Sequence, residues 1–395
     1  MTKKIWPVLA ASLLLSVSCR DTGFDHSSSP SVDSSDSLKN KEFEKGSPLL
    51  FSEFYLGDLT KNRVVEVANF GTEPISLKNY SIRIYRGTEK KTSFTISLGD
   101  KTLQPMETFC VAYSQIEEQI HYDMVSPDFM NNGTWPMGLF RGETRVDTLG
   151  EIGYANAFAS NEVIIRKNEY RIGREKGERY DWIGYPAGYS CNLGQAVCPI
   201  SEQELLAGPK LTEEQLQLPY AKENKGTGGA VEVTLSHLGD GDTTVFNYPS
   251  SMNEYKGRSF RYQNIDTPEV QHGNTIQEQP WGEAASKWNN GILSSAKHIL
   301  IQSVEGGALT ESFGRLLGFV WVSDKENPSA SDYRNLNHWT VLEGYSKYAF
   351  ASATSTMMSG DLRYNSYFSD AHARGVKTGI RLFGEKDPNF NYDRA

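Results

Sequence analysis

The chain has 395 residues, of which 38% are hydrophobic and 23% charged, which allows two or three folded domains and excludes a wholly disordered protein. Its formal net charge of −9 argues against purely charge-driven binding to nucleic acid. A single apolar stretch, at the extreme N-terminus, excludes a polytopic membrane protein, and four cysteines without a Cys-x-x-Cys pair argue against a disulfide scaffold or a structural zinc site.

The first 19 residues have the pattern of an export signal. Lys3 and Lys4 are followed by a mostly apolar run over residues 5–15, which is too short to span a membrane stably. Small residues at 16–18 then precede Cys19, an ending that resembles the lipobox of bacterial lipoproteins and implies lipidation of Cys19. Cleavage by an ordinary signal peptidase remains an alternative, because Ser16 and Ser18 suit it as well.

Residues 20–47 are rich in serine and contain almost no large apolar side chains. Such a segment cannot bury enough surface to fold, so we predict a flexible tether between the lipid anchor and the folded part. The predicted location is therefore the cell envelope, with a membrane contact through Cys19, and secretion is the alternative.

Residues 48–198 show the period-two alternation of half-buried β-strands, punctuated by turn formers. The apolar side chains of the two clearest strands are Tyr80, Ile82, Ile84, Phe94, Ile96 and Leu98. Several short strands at this spacing predict an antiparallel sandwich.

The same region resembles the lamin-tail domain. The resemblance is carried by Phe51–Phe54, Arg63–Asn69, Pro74–Ile82 and Leu103–Val111, and by the stretch 131–147. It implies an immunoglobulin-like β-sandwich that serves as an accessory module and has no catalytic role of its own.

Two cysteines lie close together near the end of this unit. In an exported protein, Cys191 and Cys198 are predicted to form a small loop disulfide. Cys110 lies inside an apolar strand, which predicts a buried free thiol. Residues 199–229 then change character: acidic residues and leucines predict a helical linker, and the glycines at 226, 228 and 229 predict a hinge.

Three short clusters after residue 230 carry the candidate chemistry. They are Asp240-Gly241-Asp242-Thr243, then Arg261 followed at 266–269 by Asp-Thr-Pro-Glu, and finally Phe313-Gly314-Arg315. Each cluster alone is an ordinary turn sequence.

In this order and spacing the clusters resemble the thermonuclease (staphylococcal-nuclease-like) family. Trp281–Ala285 and Trp339–Tyr345 match the starts of the first two helices of the family. The resemblance implies an OB-type five-stranded barrel with packed helices over residues 230–384, with a tail at 385–395. The whole chain is thus predicted to be mostly β with some α.

The resemblance gives each cluster a role that agrees with the chemistry of phosphodiester cleavage. Asp242, Asp266 and the Thr267 carbonyl are the expected Ca²⁺ ligands, because this hard cation prefers oxygen donors. Asp240 is expected to stand just behind them.

The remaining candidates act on water and on the phosphate. Glu269 is the candidate general base for a water molecule, and Arg261 and Arg315 are expected to hold the phosphate oxygens. Phe313 and Phe350 stand where the family has tyrosines, and they are the candidate contacts to the substrate nucleotide.

The sequence therefore predicts an envelope or secreted Ca²⁺-dependent nuclease that hydrolyses DNA, and alternatively RNA, to 3′-phosphorylated products. The complete acidic and arginine set favours catalysis. The alternative is a non-catalytic envelope protein for adhesion or nucleic-acid binding. The nucleic-acid substrate and the membrane are the predicted partners, and no protein partner is inferred.

Overall fold

The computed structural model describes residues 43–57, 61–271, 277–354 and 356–394. The predicted export signal, Cys19 and the tether up to residue 42 lie outside the described residues. From Lys41 onward the chain forms one compact unit. Within the described ranges, no helix is both long enough and apolar enough to cross a membrane.

The first half of this unit is a β-sandwich, as predicted. Its strands are β1 Leu49–Leu56, β2 Arg63–Asn69, β3 Ile75–Ser76, β4 Tyr80–Ile84, β5 Phe94–Ser97, β6 Thr102–Leu103, β7 Thr108–Tyr113, β8 Met124–Ser126, β9 Met137–Arg141, β10 Thr144–Leu149, β11 Glu162–Arg166 and β12 Trp182–Pro186. One sheet has the order β12-β11-β1-β2-β7-β8 and the facing sheet β10-β9-β4-β5.

Both sheets contribute to one apolar core, and the predicted alternation explains which side chains fill it. Tyr80, Ile82 and Ile84 of β4 are buried, whereas the residues between them are only half-buried. Phe51 and Val67 enter the same core from the opposite sheet. Alternation predicted this face correctly because each strand places successive side chains on opposite sides of the sheet.

The segment between the two halves is packed, in contrast to the predicted hinge. Helix α1, Glu202–Ala207, begins with a capping box in which Ser201 and Glu204 satisfy each other's backbone N–H groups. The short strands β13 Ala221–Lys222 and β14 Lys225–Gly226 follow. Leu211 and Tyr220 are buried in the core of the second half, so this segment is part of the folded body.

The second half contains the predicted barrel. Its elements are β15 Ala230–His237, β16 Thr243–Asn247, β17 Ser259–Tyr262, β18 Ile265–Asp266, α2 Gly282–Ser295, β19 His298–Gln302, β20 Leu316–Ser323, β21 Arg334–Asn335, α3 Leu336–Leu342, β22 Lys347–Tyr348, β23 Met358–Ser359, β24 Leu362–Arg363 and α4 Tyr364–Thr378. The sheet order is β17-β16-β15-β19-β20-β21, and β17 also pairs with β20. That last pairing closes five strands into a barrel.

Short 3₁₀ helices complete the description of regular structure. They lie at Leu77–Asn79, Asn168–Tyr170, Arg179–Asp181, Ser250–Tyr255, Ala330–Asp332, Ala351–Thr354, Arg381–Phe383 and Tyr392–Arg394.

Sandwich and barrel meet through a shared apolar cluster and a buried ionic network. Leu362 and Tyr367 pack with Tyr55 and Ile165 of the sandwich. The Lys167 ammonium is paired with the Asp370 carboxylate of α4, and both side chains are almost fully buried. The two halves are therefore packed against each other along α4.

The cysteine prediction is only partly right. The thiols of Cys191 and Cys198 are both free, so the predicted disulfide is wrong for this structure. Cys191 is exposed, whereas Cys198 is buried in the apolar cluster shared with the barrel. The loop is fixed by hydrogen bonds instead, because the Asn168 amide donates to the Cys198 carbonyl and accepts from its N–H, each at 3.0 Å. Cys110 is a buried free thiol, as predicted.

Candidate active site

Antiparallel pairing of β16 and β17 places the first candidate acid beside the first arginine. Thr243 lies opposite Arg261 in the register, so the preceding residue, Asp242, lies at the end of the same pair. The Tyr262 N–H donates to the Asp242 carbonyl at 2.9 Å. The Asp242 carboxylate forms an ion pair with the Arg261 guanidinium, and both side chains are largely buried.

The second candidate acid, Asp266, lies in the short strand β18. Asp266 lies opposite Lys347 of β22, and its N–H donates to the Ser346 hydroxyl at 2.9 Å. Its carboxylate lies 3.0 Å from Nη2 of Arg261. One guanidinium thus contacts the carboxylates of both Asp242 and Asp266. The Asp266 side chain is about half exposed, at 49%, so the pair is accessible to solvent on this side.

Thr267 connects the two acidic segments. Its N–H donates to Oδ2 of Asp242 at 2.8 Å, which fixes the orientation of that carboxylate. The turn at residues 240–242 approaches Thr267 so closely that a Cβ on Gly241 would lie 2.8 Å from the Thr267 side-chain methyl. Glycine at 241 therefore permits the contact between this turn and β18.

Closure of the barrel brings the second arginine to the same end. In the parallel pair of β17 and β20, Phe260 lies opposite Leu316, so Arg315, directly before β20, lies near the strand that carries Arg261. Glu311 holds Arg315, with Oε1 at 3.2 Å from its Nε. Burial lowers the pKa of the Arg261 guanidinium, the carboxylate of Asp266 opposes this, and the positive charge of Arg315 lowers that pKa further. The two guanidinium groups are therefore close enough for the charge of one to affect the other.

Glu269 follows β18 closely in the chain and is exposed. Its backbone is fixed by Gln279, whose N–H donates to the Glu269 carbonyl at 2.9 Å and whose side-chain oxygen accepts from the Glu269 N–H at 3.2 Å. The backbone is thus anchored while the carboxylate faces solvent, as a residue that acts on water requires.

Three polar residues of α2 were missed by the sequence interpretation, and they hold the Asp240–Asp242 turn. Ser286 and Asn290 donate to the Gly239 carbonyl at 3.0 Å each, and Asn289 donates to the Asp240 carbonyl at 3.1 Å. Their spacing along one helical face was the available signal. Asp240 itself accepts from the Asp242 N–H at 3.2 Å, which places it beside the candidate ligand.

Each arginine is accompanied by an exposed aromatic ring. Phe350 lies with its ring 6.0 Å from the Arg261 guanidinium, and Phe313 lies 5.8 Å from that of Arg315. The two side chains are 64% and 83% exposed, respectively. Large apolar side chains this exposed at the rim of a polar site are available to contact a ligand.

A cleft of about 330 Å³ begins at Asp266 and Thr267. Its other walls include Gln279, Trp281 and Lys347. The Trp281 N–H donates to Asp387 at 2.7 Å, so the predicted tail packs against the start of α2 and helps to build this wall. Of the candidate acids, Asp266 thus lines this cleft directly.

The donor set fits a hard cation. Two carboxylates and the Thr267 carbonyl are all oxygen donors, the type that Ca²⁺ prefers. In the described structure, however, the carboxylates of Asp242 and Asp266 form ion pairs with Arg261. Among the described residues, the carboxylates of Asp240, Asp242 and Asp266 do not form a group of three within 4.8 Å of one another. The residues present therefore match Ca²⁺ by chemistry, with two side-chain ligands and a backbone ligand.

Fold and site together define an OB-type barrel with two acids and two arginines at one end. Residues 259–379 match the family described as "Staphylococcal nuclease homologue". The matched segment includes Arg261, Asp266, Thr267, Glu269 and Arg315, while Asp242 lies before it in the chain, directly ahead of β16. The match supports a nuclease domain in this part of the chain. No curated protein matches the chain.

Proposed function

We propose that this protein is an exported, Ca²⁺-dependent nuclease that hydrolyses DNA, and alternatively RNA, to 3′-phosphorylated fragments. The observation that carries the proposal is the meeting of Asp242, Asp266 and Arg261 at one end of a closed barrel. Most of this end lies in the segment that matches the staphylococcal nuclease homologues. The product type follows from the family resemblance.

In the proposed site, Asp242, Asp266 and the Thr267 carbonyl hold the cation. When bound, Ca²⁺ supplies positive charge beside the scissile phosphate. The hydrogen bond from Thr267 to Asp242 keeps that carboxylate in one orientation before any ligand arrives. Such preorganisation reduces the rearrangement needed during the reaction.

The remaining side chains act on the water and on the phosphate. Glu269 accepts a proton from the attacking water, for which its exposed position beside the cleft is suitable. Arg261 and Arg315 donate hydrogen bonds to the phosphate oxygens, where negative charge increases in the transition state. A phosphate that binds Arg261 replaces the carboxylates as a partner of its guanidinium, which leaves Asp242 and Asp266 for the cation.

The two exposed aromatic side chains at the site can contact nucleic acid in a way that does not depend on base sequence. Phe313 and Phe350 offer exposed faces on which bases can stack beside the two arginines. Because only the two arginines are proposed to contact phosphate, we expect the affinity for nucleic acid to depend only weakly on salt concentration.

We also propose that the protein is a lipoprotein anchored through Cys19, with the sandwich as a lamin-tail-like accessory module. Support for the anchor is the small-residue run before Cys19 and the serine-rich segment after it. Support for the module is the set of sequence runs that resemble lamin-tail domains, together with the two-sheet core.

The test is to incubate residues 41–395, which form one compact unit, with linear DNA and with RNA in Ca²⁺ or in chelator. We expect cleavage in Ca²⁺, none in chelator, and none from the Arg261→Ala/Arg315→Ala double variant, which serves as the control for contaminating nucleases. Binding of DNA without cleavage would favour the non-catalytic alternative.

A further inference from the structure

A row of polar side chains crosses the outer face of the larger sandwich sheet, far in sequence from the nuclease site. Glu53 of β1 lies opposite Glu66 of β2, and Glu66 lies opposite Cys110 of β7. These three side chains share one face with apolar neighbours such as Tyr55 and Ile165. A polar row inside an apolar cluster requires a physical reason.

The two carboxylates of this row are fully buried. Glu53 and Glu66 are both 0% exposed. Within the described part of the chain, neither forms an ion pair with a lysine or an arginine, and Lys101 pairs instead with Asp123 and Glu107. Oε1 of Glu53 has no hydrogen-bond partner there. Buried carboxylates without a cation are unfavourable, and burial therefore raises the pKa of both side chains and favours their neutral forms.

Two further ligand side chains reach the end of this row. The Cys110 thiol, the His121 ring and the Asp123 carboxylate place their ligand atoms within 4.8 Å of one another. The Cys110 sulfur also lies 3.3 Å from Oε2 of Glu66. Ligands on one zinc ion, bound at about 2.0–2.3 Å, lie roughly 3.3–3.8 Å apart in a tetrahedron. The thiol, the imidazole and the Asp123 carboxylate are thus close enough together to bind one ion, with Glu66 beside the sulfur.

The loop at residues 192–194 covers the row and leaves an opening. The Gly194 N–H donates to Oε2 of Glu66 at 2.7 Å, and a Cβ on Gly194 would lie 3.2 Å from the His121 ring. Gly194 has φ +87°, so glycine suits both its conformation and this close approach. The His121 side chain is 50% exposed, which gives an ion access from solvent.

We propose that Cys110, His121 and Asp123 form a zinc site in the sandwich, next to Glu66. The Cys110 thiol releases its proton to solvent when its sulfur binds Zn²⁺. The ion would also join the segment at residues 121–123 to β7. Sulfur and nitrogen ligands favour Zn²⁺ over Ca²⁺, so this site is distinct from the proposed calcium site.

The test is the metal content and zinc affinity of the purified full chain, after treatment with chelator and reloading with Zn²⁺ alone. We expect one tightly bound zinc per chain. We expect Cys110→Ser and His121→Ala to weaken binding by more than about 100-fold, since loss of mere supporting contacts already weakens metal sites about 10–100-fold. Co²⁺ as a probe should give thiolate-to-cobalt charge-transfer absorption in wild type and none in Cys110→Ser.

Matched controls separate this site from other metal binding. Cys191→Ser removes an exposed thiol outside the cluster, and Asp242→Asn alters the proposed calcium site, so both should retain the zinc. His121→Ala keeps the test valid if Cys110→Ser fails to fold, because His121 is half exposed and fills no core position. No bound zinc in wild type, or wild-type zinc affinity in Cys110→Ser and His121→Ala, would overturn the proposal.

Discussion

Arg261 connects the acids of the nuclease site at the scale of single residues. Its guanidinium contacts the carboxylates of Asp242 and Asp266, and the charge of Arg315 lies close enough to lower its pKa further. Two carboxylates at one guanidinium are partly neutralised, which keeps them in place before ligands bind. We interpret this arrangement as the resting state of the site.

Replacement of Glu269 tests the assignment of the general base. We expect Glu269→Gln to lower kcat by roughly 10²–10⁴, the usual contribution of general-base catalysis, while Ca²⁺ affinity stays unchanged. Steady-state cleavage of DNA and calorimetric Ca²⁺ titration measure the two effects. Glu283→Gln, an exposed change in the first turn of α2, is the matched control and should keep wild-type rates. Wild-type turnover in Glu269→Gln would remove Glu269 from this role.

Replacement of Asp242 tests the cation site. Asp242→Asn keeps an oxygen that can accept from the Thr267 N–H but removes one of two charged ligands, so we expect Ca²⁺ affinity to fall at least about tenfold. Isothermal titration of the variant against wild type gives the change directly. Asp324→Asn alters an exposed acid outside the site and should titrate like wild type. Unchanged Ca²⁺ affinity in Asp242→Asn would mean that the ion binds elsewhere.

At the scale of elements, the sequence predicted those features that depend on neighbouring residues, such as which face of a strand is buried. The alternation in β4 correctly predicted that Ile82 and Ile84 face the core, and the barrel was expected from the resemblance that the three motifs carry. Contacts that depend on register between distant strands could not be predicted. The row of Glu53, Glu66 and Cys110 exists only because β1, β2 and β7 pair in this register. The predicted Cys191–Cys198 disulfide was wrong for a different reason, because short separation in sequence does not bring two thiols into contact.

The packing of α3 on α4 should make stability depend on pH. His338 of α3 is fully buried against the rings of Tyr367 and Phe368, and burial lowers its pKa from 6.5 to about 3. Between these values the unfolded chain binds a proton that the folded chain does not, so stability falls as pH decreases. From this residue alone we expect a loss of about 2 kcal/mol in the free energy of unfolding between pH 8 and pH 5.

Urea unfolding at the two pH values measures this loss. His338→Gln should reduce the pH dependence by that amount, although the variant is expected to be less stable at neutral pH. The exposed His237→Gln is the control and should preserve the wild-type slope. An identical pH dependence in His338→Gln and wild type would contradict the assignment.

At the scale of the whole molecule, the contact between sandwich and barrel depends on the buried Lys167–Asp370 pair. Asp370→Ala would leave Lys167 buried without its partner, which we expect to cost about 3–5 kcal/mol of stability. Lys167→Met should cost less, because Asp370 keeps Arg374 at 2.6 Å. Hydrogen exchange would locate the loss along α4 and β12. Equal effects of the two changes would argue that charge pairing is not what holds this interface.

The proposed anchor concerns the same scale and is independent of catalysis. Lipidation needs the thiol of Cys19, and acyl chains contribute roughly 0.8 kcal/mol per buried CH₂, so two or more chains hold a protein on a bilayer whereas one does not. We expect the full-length protein, expressed in a bacterium, to fractionate with membranes, and Cys19→Ser to be released or to remain unprocessed. Cys191→Ser is the matched control and should stay in the membrane fraction.

Nuclease activity of residues 41–395 should be the same from either background, since that unit does not contain Cys19. Mass spectrometry of the mature N-terminus decides the matter, because an unmodified Cys19 there would mean ordinary secretion while the proposed nuclease site would stand.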